Sequence, residues 1–128
     1  MKTRTTFLAA LVALTFAAQA HAASAVAMAD DLTYGYSYEQ PTEEAAKAQA
    51  LRSCSRRTSH RCEVVVSCAG GGYGAISFSG TTGRRALGAA CGMNDVQSAY
   101  LRAQQSCNQQ SAGRCGFPRV GWNDRGES

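Results

Sequence analysis

Cys54-x7-Cys62 recurs as Cys107-x7-Cys115, and both cysteines of the pair are displaced by the same 53 residues. That gapless offset also carries Gly35 onto Gly88, Ala46 onto Ala99, Ala50 onto Ala103, Ser53 onto Ser106 and Arg61 onto Arg114. A register that joins two cysteine pairs to one Ala/Ala/Cys stripe is the mark of an internal duplication, and it limits the fold before any local reading. Equivalent pairs should bond equivalently. Six cysteines allow 15 connectivities, and the duplication selects Cys54–Cys62 and Cys107–Cys115, leaving Cys68–Cys91. Each short closure stabilises by roughly 2.5–3 kcal/mol in the chain-entropy model. The competing chemistry is a metal site at Cys54, His60 and Cys62. Structural zinc prefers ligands two to four residues apart, and the second copy has Gly113 where His60 stands. No metal and no other cofactor is expected.

The N-terminus carries the parts of a secretory signal. Lys2 and Arg4 precede an apolar run from Phe7 to Ala18, followed by small-residue cleavage sites ending at Ala20 and Ala22. The run is shorter than the roughly 20 residues a membrane-spanning helix needs. The expected organisation is a signal peptide over 1–22, a flexible leader over 23–32, one disulfide-bonded domain over 33–122 and a tail over 123–128. Losing Lys2 and Arg4 lowers Lys+Arg from 13 to 11 against 9 acidic residues, a net charge of +2. The basic balance is therefore no argument for nucleic acid, and no membrane insertion is expected once the signal is gone. An even cysteine count in a small exported domain suits an oxidising compartment; the expected location is the periplasm or the exterior.

Tyr34-Gly35-Tyr36-Ser37-Tyr38 alternates as a strand does. Pro41 stops it, and Thr42 suits the N-cap of a helix with Glu43 and Glu44 in its first turn and Arg52 in its last. Ala46, Ala50 and Cys54 form a small-residue stripe on that helix. Glu63–Cys68 and Tyr73–Ser79 read as strands around the Gly70-Gly71-Gly72 turn, and Arg84–Cys91 as a further strand. Asn94 or Asp95 caps a second helix whose apolar face is Val96, Ala99, Tyr100, Ala103 and Cys107. Pro118 puts the last strand, Gly116–Trp122, at a sheet edge. The expected fold is α+β: a mainly antiparallel sheet with two helices on one face, in the order β-α-β-β-β-α-β, closed by three disulfides. Cys68 and Cys91 both share strand faces with apolar neighbours, which favours their meeting in the core.

Two groups of residues are candidates for binding. Tyr34, Tyr36 and Tyr38 form an aromatic row for a glycan or a protein, although the equivalent Leu87, Ala89 and Cys91 look like core. Arg52, Arg56 and Arg57 cluster at the first bridge, where solvated charge at a helix C-terminus is the plainer account. Gly70-Gly71-Gly72-Tyr73-Gly74 precedes a strand instead of opening a helix, so it is a hairpin turn and not a phosphate cradle. No catalytic constellation is evident, and His60 stands without a neighbouring nucleophile.

The elements Tyr34-Gly35-Tyr36-Ser37, Ala45-Ala46…Ala50-Leu51, Cys54, Cys62, Val64-Val65-Val66 and Tyr73-Gly74-Ala75-Ile76 resemble the bacterial domain-of-unknown-function family 4189, over about residues 34–120. The second half departs from the pattern, with Phe117-Pro118-Arg119-Val120 in place of the valine run. The resemblance implies a small exported disulfide-bonded domain and supplies no catalytic residues. The leading functional expectation is a non-catalytic protein-binding module of the bacterial envelope, with immunity or inhibitor proteins against periplasm-acting toxins as the analogy. Its partner would be a toxin or an envelope protein. The alternatives are a peptidoglycan-binding protein and, less favoured, a small hydrolase using His60.

Overall fold

The computed structural model describes residues 22–79, 86–111, 115, 116, 118 and 120–124. The chain runs β1 (Ala23–Ala29), β2 (Tyr34–Gln40), α1 (Glu43–Ser55), β3 (Cys62–Cys68), β4 (Gly72–Phe78), β5 (Leu87–Met93), α2 (Val96–Ser111) and β6 (Val120–Asp124). The strands form two antiparallel three-stranded sheets, ordered β2-β1-β3 and β5-β4-β6. Each half is therefore a β-β-α-β unit with its first strand in the middle. The α+β class, the antiparallel pairing and the three disulfides Cys54–Cys62, Cys68–Cys91 and Cys107–Cys115 follow the expectation.

Two features differ from it. The single sheet is two sheets, and the helices take opposite outer faces instead of one. Ala25 and Ala27 of β1 pack with Ala46, Ala50 and Cys54 of α1, while Ala75 and Ala90 pack with Ala99 and Ala103 of α2. Between the sheets lies a layer of larger residues, including Val26, Val66, Ile76, Phe78, Leu87 and Trp122. The Cys68–Cys91 bond crosses this layer from β3 to β5. The layers run helix, sheet, sheet, helix.

The second correction concerns residues 23–32, expected as a flexible leader. Ala23–Ala29 is instead the central strand of the first sheet, with Ala25, Val26 and Ala27 fully buried. A strand buried on both faces has no polar side to alternate with, so period-two patterning does not reveal it. Nor does the 53-residue offset reach it. Ala27 pairs with Gly35 eight residues on, whereas its counterpart Ser77 pairs with Gly88 eleven residues on. The shorter first turn shifts the register. At the other end, Asn123 and Asp124 belong to β6 and not to a tail; β6 lies at a sheet edge, as Pro118 suggests. The expected signal segment lies outside the described residues up to 21, and Ala22 is already buried.

The repeated glycines explain how close the helices lie. A Cβ on Gly35 would collide with the backbone at Ala50 O and Cys54 N, and one on Gly88 with Ala103 O and Cys107 N. The glycine and the Ala/Ala/Cys stripe are thus one packing device, used twice. In the first copy the Ser37 hydroxyl adds a buried 2.6 Å hydrogen bond to the Ala46 carbonyl. Thr42 caps α1 by accepting from Ala45 N at 3.0 Å, and Asp95, not Asn94, caps α2 by accepting from Ser98 N at 2.7 Å.

Candidate functional site

Gly35 and Ser37 face α1, so Tyr34, Tyr36 and Tyr38 face the other way, into the layer between the sheets. Their rings stack in sequence, Tyr34 on Tyr36 at 6.4 Å and Tyr36 on Tyr38 at 6.2 Å. The second half closes over the row: Trp122 stacks on Tyr36 at 5.5 Å, and Phe78 tilts against Tyr34 at 5.0 Å. Tyr34 and Tyr36 are half-buried and only Tyr38, 43% exposed, reaches solvent substantially. The equivalent Leu87 and Ala89 belong to the same layer. Trp122 is buried there with its indole N–H lacking a hydrogen-bond partner.

The arginines sit at the start of β2, where α1 ends. Arg52, Arg56 and Arg57 are all exposed. Arg52 donates to Gln49 Oε1 at 2.8 Å. Arg57 folds back over Tyr34, its guanidinium carbon 5.9 Å from the ring centroid and one N–H 3.5 Å from the Tyr34 carbonyl. A cation over a tyrosine face is attracted by the ring quadrupole, so Arg57 is held against β2, whereas Arg52 is bonded only to its own helix. The two candidate groups thus meet at one point, Tyr34 with Arg57. Tyr38 lies about 13 Å away along the strand.

Sequence reading missed the turn that completes this end of the molecule. Asp30–Thr33 joins β1 to β2, and Leu32 adopts a left-handed φ of 66°. Asp31 accepts from Thr33 N at 2.9 Å and from the Thr58 hydroxyl at 2.6 Å. These bonds, that from Thr58 foremost, hold its pKa down at about 2. His60 Nδ1 lies 2.6 Å from Asp30 Oδ1, and this hydrogen bond raises the imidazole pKa. The His60 amide donates to the Thr58 hydroxyl oxygen at 3.1 Å. The first disulfide loop is thereby clasped to the β1–β2 turn. Adjacent aspartates before an alternating strand are a turn signal, obscured by reading the segment as leader.

Beside the clasp is an open cleft of about 330 Å³ whose lining includes Asp31, Leu32, Tyr34, Arg57, Phe78 and Ala86. Among the described residues no group of three His, Cys, Asp or Glu side chains is placed to hold a metal ion, and every cysteine is in a disulfide. No helix among them is long and apolar enough to cross a membrane.

Two copies of a β-β-α-β unit, each stapled by Cys-x7-Cys and joined through a third bond, define a disulfide-framed α+β domain of a non-cytoplasmic, oxidising compartment. The family model of DUF4189, a domain of unknown function, matches residues 21–72 and places that part of the chain in this family. The match spans β1 to the start of β4, one structural repeat. Neither the curated proteins nor the solved structures contain a match to the chain.

Proposed function

We propose that the chain is a non-catalytic protein-binding module of the bacterial envelope, periplasmic or secreted, that meets an acidic surface on its partner. The observation that carries this is the basic rim of Arg52, Arg56 and Arg57: exposed, outside every ion pair of the described residues, and anchored next to the Cys54–Cys62 bridge. A rigid frame lowers the ordering cost of association, and an unneutralised guanidinium cluster favours carboxylate-bearing partners. A toxin or another envelope protein fits that description. The glycan reading is weakened because the faces of Tyr34 and Tyr36, which a sugar would need, are taken by other rings and by Arg57. The hydrolase reading is weakened because the Thr58 hydroxyl, which accepts from the His60 amide, already donates to Asp31.

The test is capture from an envelope extract by wild type and by the double variant Arg52→Glu/Arg56→Glu. A partner retained by wild type, released by moderate salt and lost by the variant supports the reading; equal retention by the folded variant sinks it. Sedimentation with purified peptidoglycan should leave the protein in solution.

A further inference from the structure

The cleft beside the β1–β2 turn carries one fixed charge of each sign over an apolar floor. The Arg57 guanidinium keeps most of its five N–H donors unused, since among the described residues its partners are the Tyr34 ring and carbonyl. Asp31 is held ionised by hydrogen bonds from Thr58 and Thr33. The two do not form an ion pair with each other. Leu32, Tyr34, Phe78 and Ala86 line the same cleft. Leu32 holds a left-handed conformation that a leucine adopts only at a cost, and it still packs into the inter-sheet layer. Opposite charges that line one cavity without neutralising each other complement a ligand carrying both.

We propose that this cleft binds a free α-amino acid with an apolar or aromatic side chain, its carboxylate on Arg57, its ammonium on Asp31 and its side chain against Tyr34, Leu32 and Phe78. The carboxylate meets a planar donor fork suited to it. The cavity volume is at the small end of ligand sites, which suits a single amino acid and not an oligomer. The open mouth keeps both charges partly hydrated, so binding is modest. The inference goes beyond the protein-partner reading and does not rest on it.

Calorimetric or NMR titration of the wild type with phenylalanine, 3-phenylpropionate and phenethylamine tests it directly. Phenylalanine should saturate one site, and each singly charged analogue should bind at least tenfold more weakly. Arg57→Gln should abolish the preference for phenylalanine over phenethylamine, and Asp31→Asn the preference over 3-phenylpropionate. The analogue series on the wild type stands even where a variant disturbs the turn. Equal binding of phenylalanine and 3-phenylpropionate would make this a simple carboxylate site, such as one for peptide C-termini, and overturn the proposal, as would the absence of saturable binding. Arg52→Glu/Arg56→Glu, which reverses two of the three rim arginines and spares the cleft, should leave phenylalanine binding unchanged, so the two readings fail separately.

Discussion

Glu39 and Gly92 stand 53 residues apart in equivalent strands, and both have left-handed backbone, with φ of 55° and 67°. Each lies at an interrupted register: Ala23 pairs with Gln40 but Ala25 with Ser37, and Tyr73 pairs with Met93 but Ala75 with Ala90. The duplication therefore includes a β-bulge, for which glycine is the natural residue, and only the second copy has one. The exposed Glu39 side chain has no hydrogen bond or ion pair that would compensate. Glu39→Gly should stabilise the protein by about 1 kcal/mol, the order of the left-handed penalty for an L-residue, read as a higher urea midpoint at unchanged slope. Gly35→Ala and Gly88→Ala should act oppositely, because the new methyl meets helix backbone that cannot rotate aside. A loss of about 3 kcal/mol, at the upper end for overpacking, is expected for each. These glycines were legible in the sequence as matched positions; that they are contact points for the helices was not, because nothing in a lone glycine states what lies above it.

At the scale of elements, α1 was legible almost to its ends. Thr42, the two glutamates and the Ala/Ala/Cys stripe each act locally, and local signals survive in sequence. β1 was illegible for the complementary reason: its seven residues are small and apolar on both faces, and its partners lie in strands farther along the chain. The Asp30–Thr33 turn shared that fate, and with it half of the candidate site. The clasp that this turn makes with the first disulfide loop predicts a pH response. The pKa of His60 is raised above its ordinary 6.5 in the folded state, so its contribution is complete below that value and lost as pH rises through the raised one. Asp31 is depressed to about 2 from 3.8; its contribution is present above 3.8 and lost as pH falls toward 2. The loop should be held best between those limits. Amide exchange of Thr58–Arg61 should quicken on both sides, and His60→Gln should remove the response on the alkaline side alone. A His60 ring that titrates at 6.5 or below would show that the contact to Asp30 does not form in solution.

For the whole molecule, the distribution of side-chain size decides what the two halves need from each other. The contacts of each sheet with its own helix are built largely from alanine and cystine, with little area per residue, whereas valine, isoleucine, leucine, phenylalanine, tyrosine and tryptophan gather between the sheets. At roughly 25 cal/mol per Å² of apolar surface removed from water, the inter-sheet layer supplies most of the hydrophobic stabilisation. Each Cys-x7-Cys staple lies within one half, so Cys68–Cys91 is the one disulfide that ties the halves. A half with its inner face bare lacks its main core, as repeat units generally do when separated. The family match over residues 21–72 coincides with one such half, which makes the question concrete. A chain of residues 22–70 with Cys68→Ser should keep its own bridge yet fail to fold as a monomer; its exposed Val26, Tyr34, Tyr36 and Val66 face should either leave it unfolded or drive a two-fold dimer in which a second copy replaces the missing sheet. Sedimentation equilibrium with circular dichroism separates these outcomes, since a dimer gains strand signal with concentration and an unfolded chain does not. A folded monomer at micromolar concentration would show that the alanine-packed helix–sheet contact is sufficient alone, and would move the stability of this domain from the layer between its halves to the glycine-seated helices outside it.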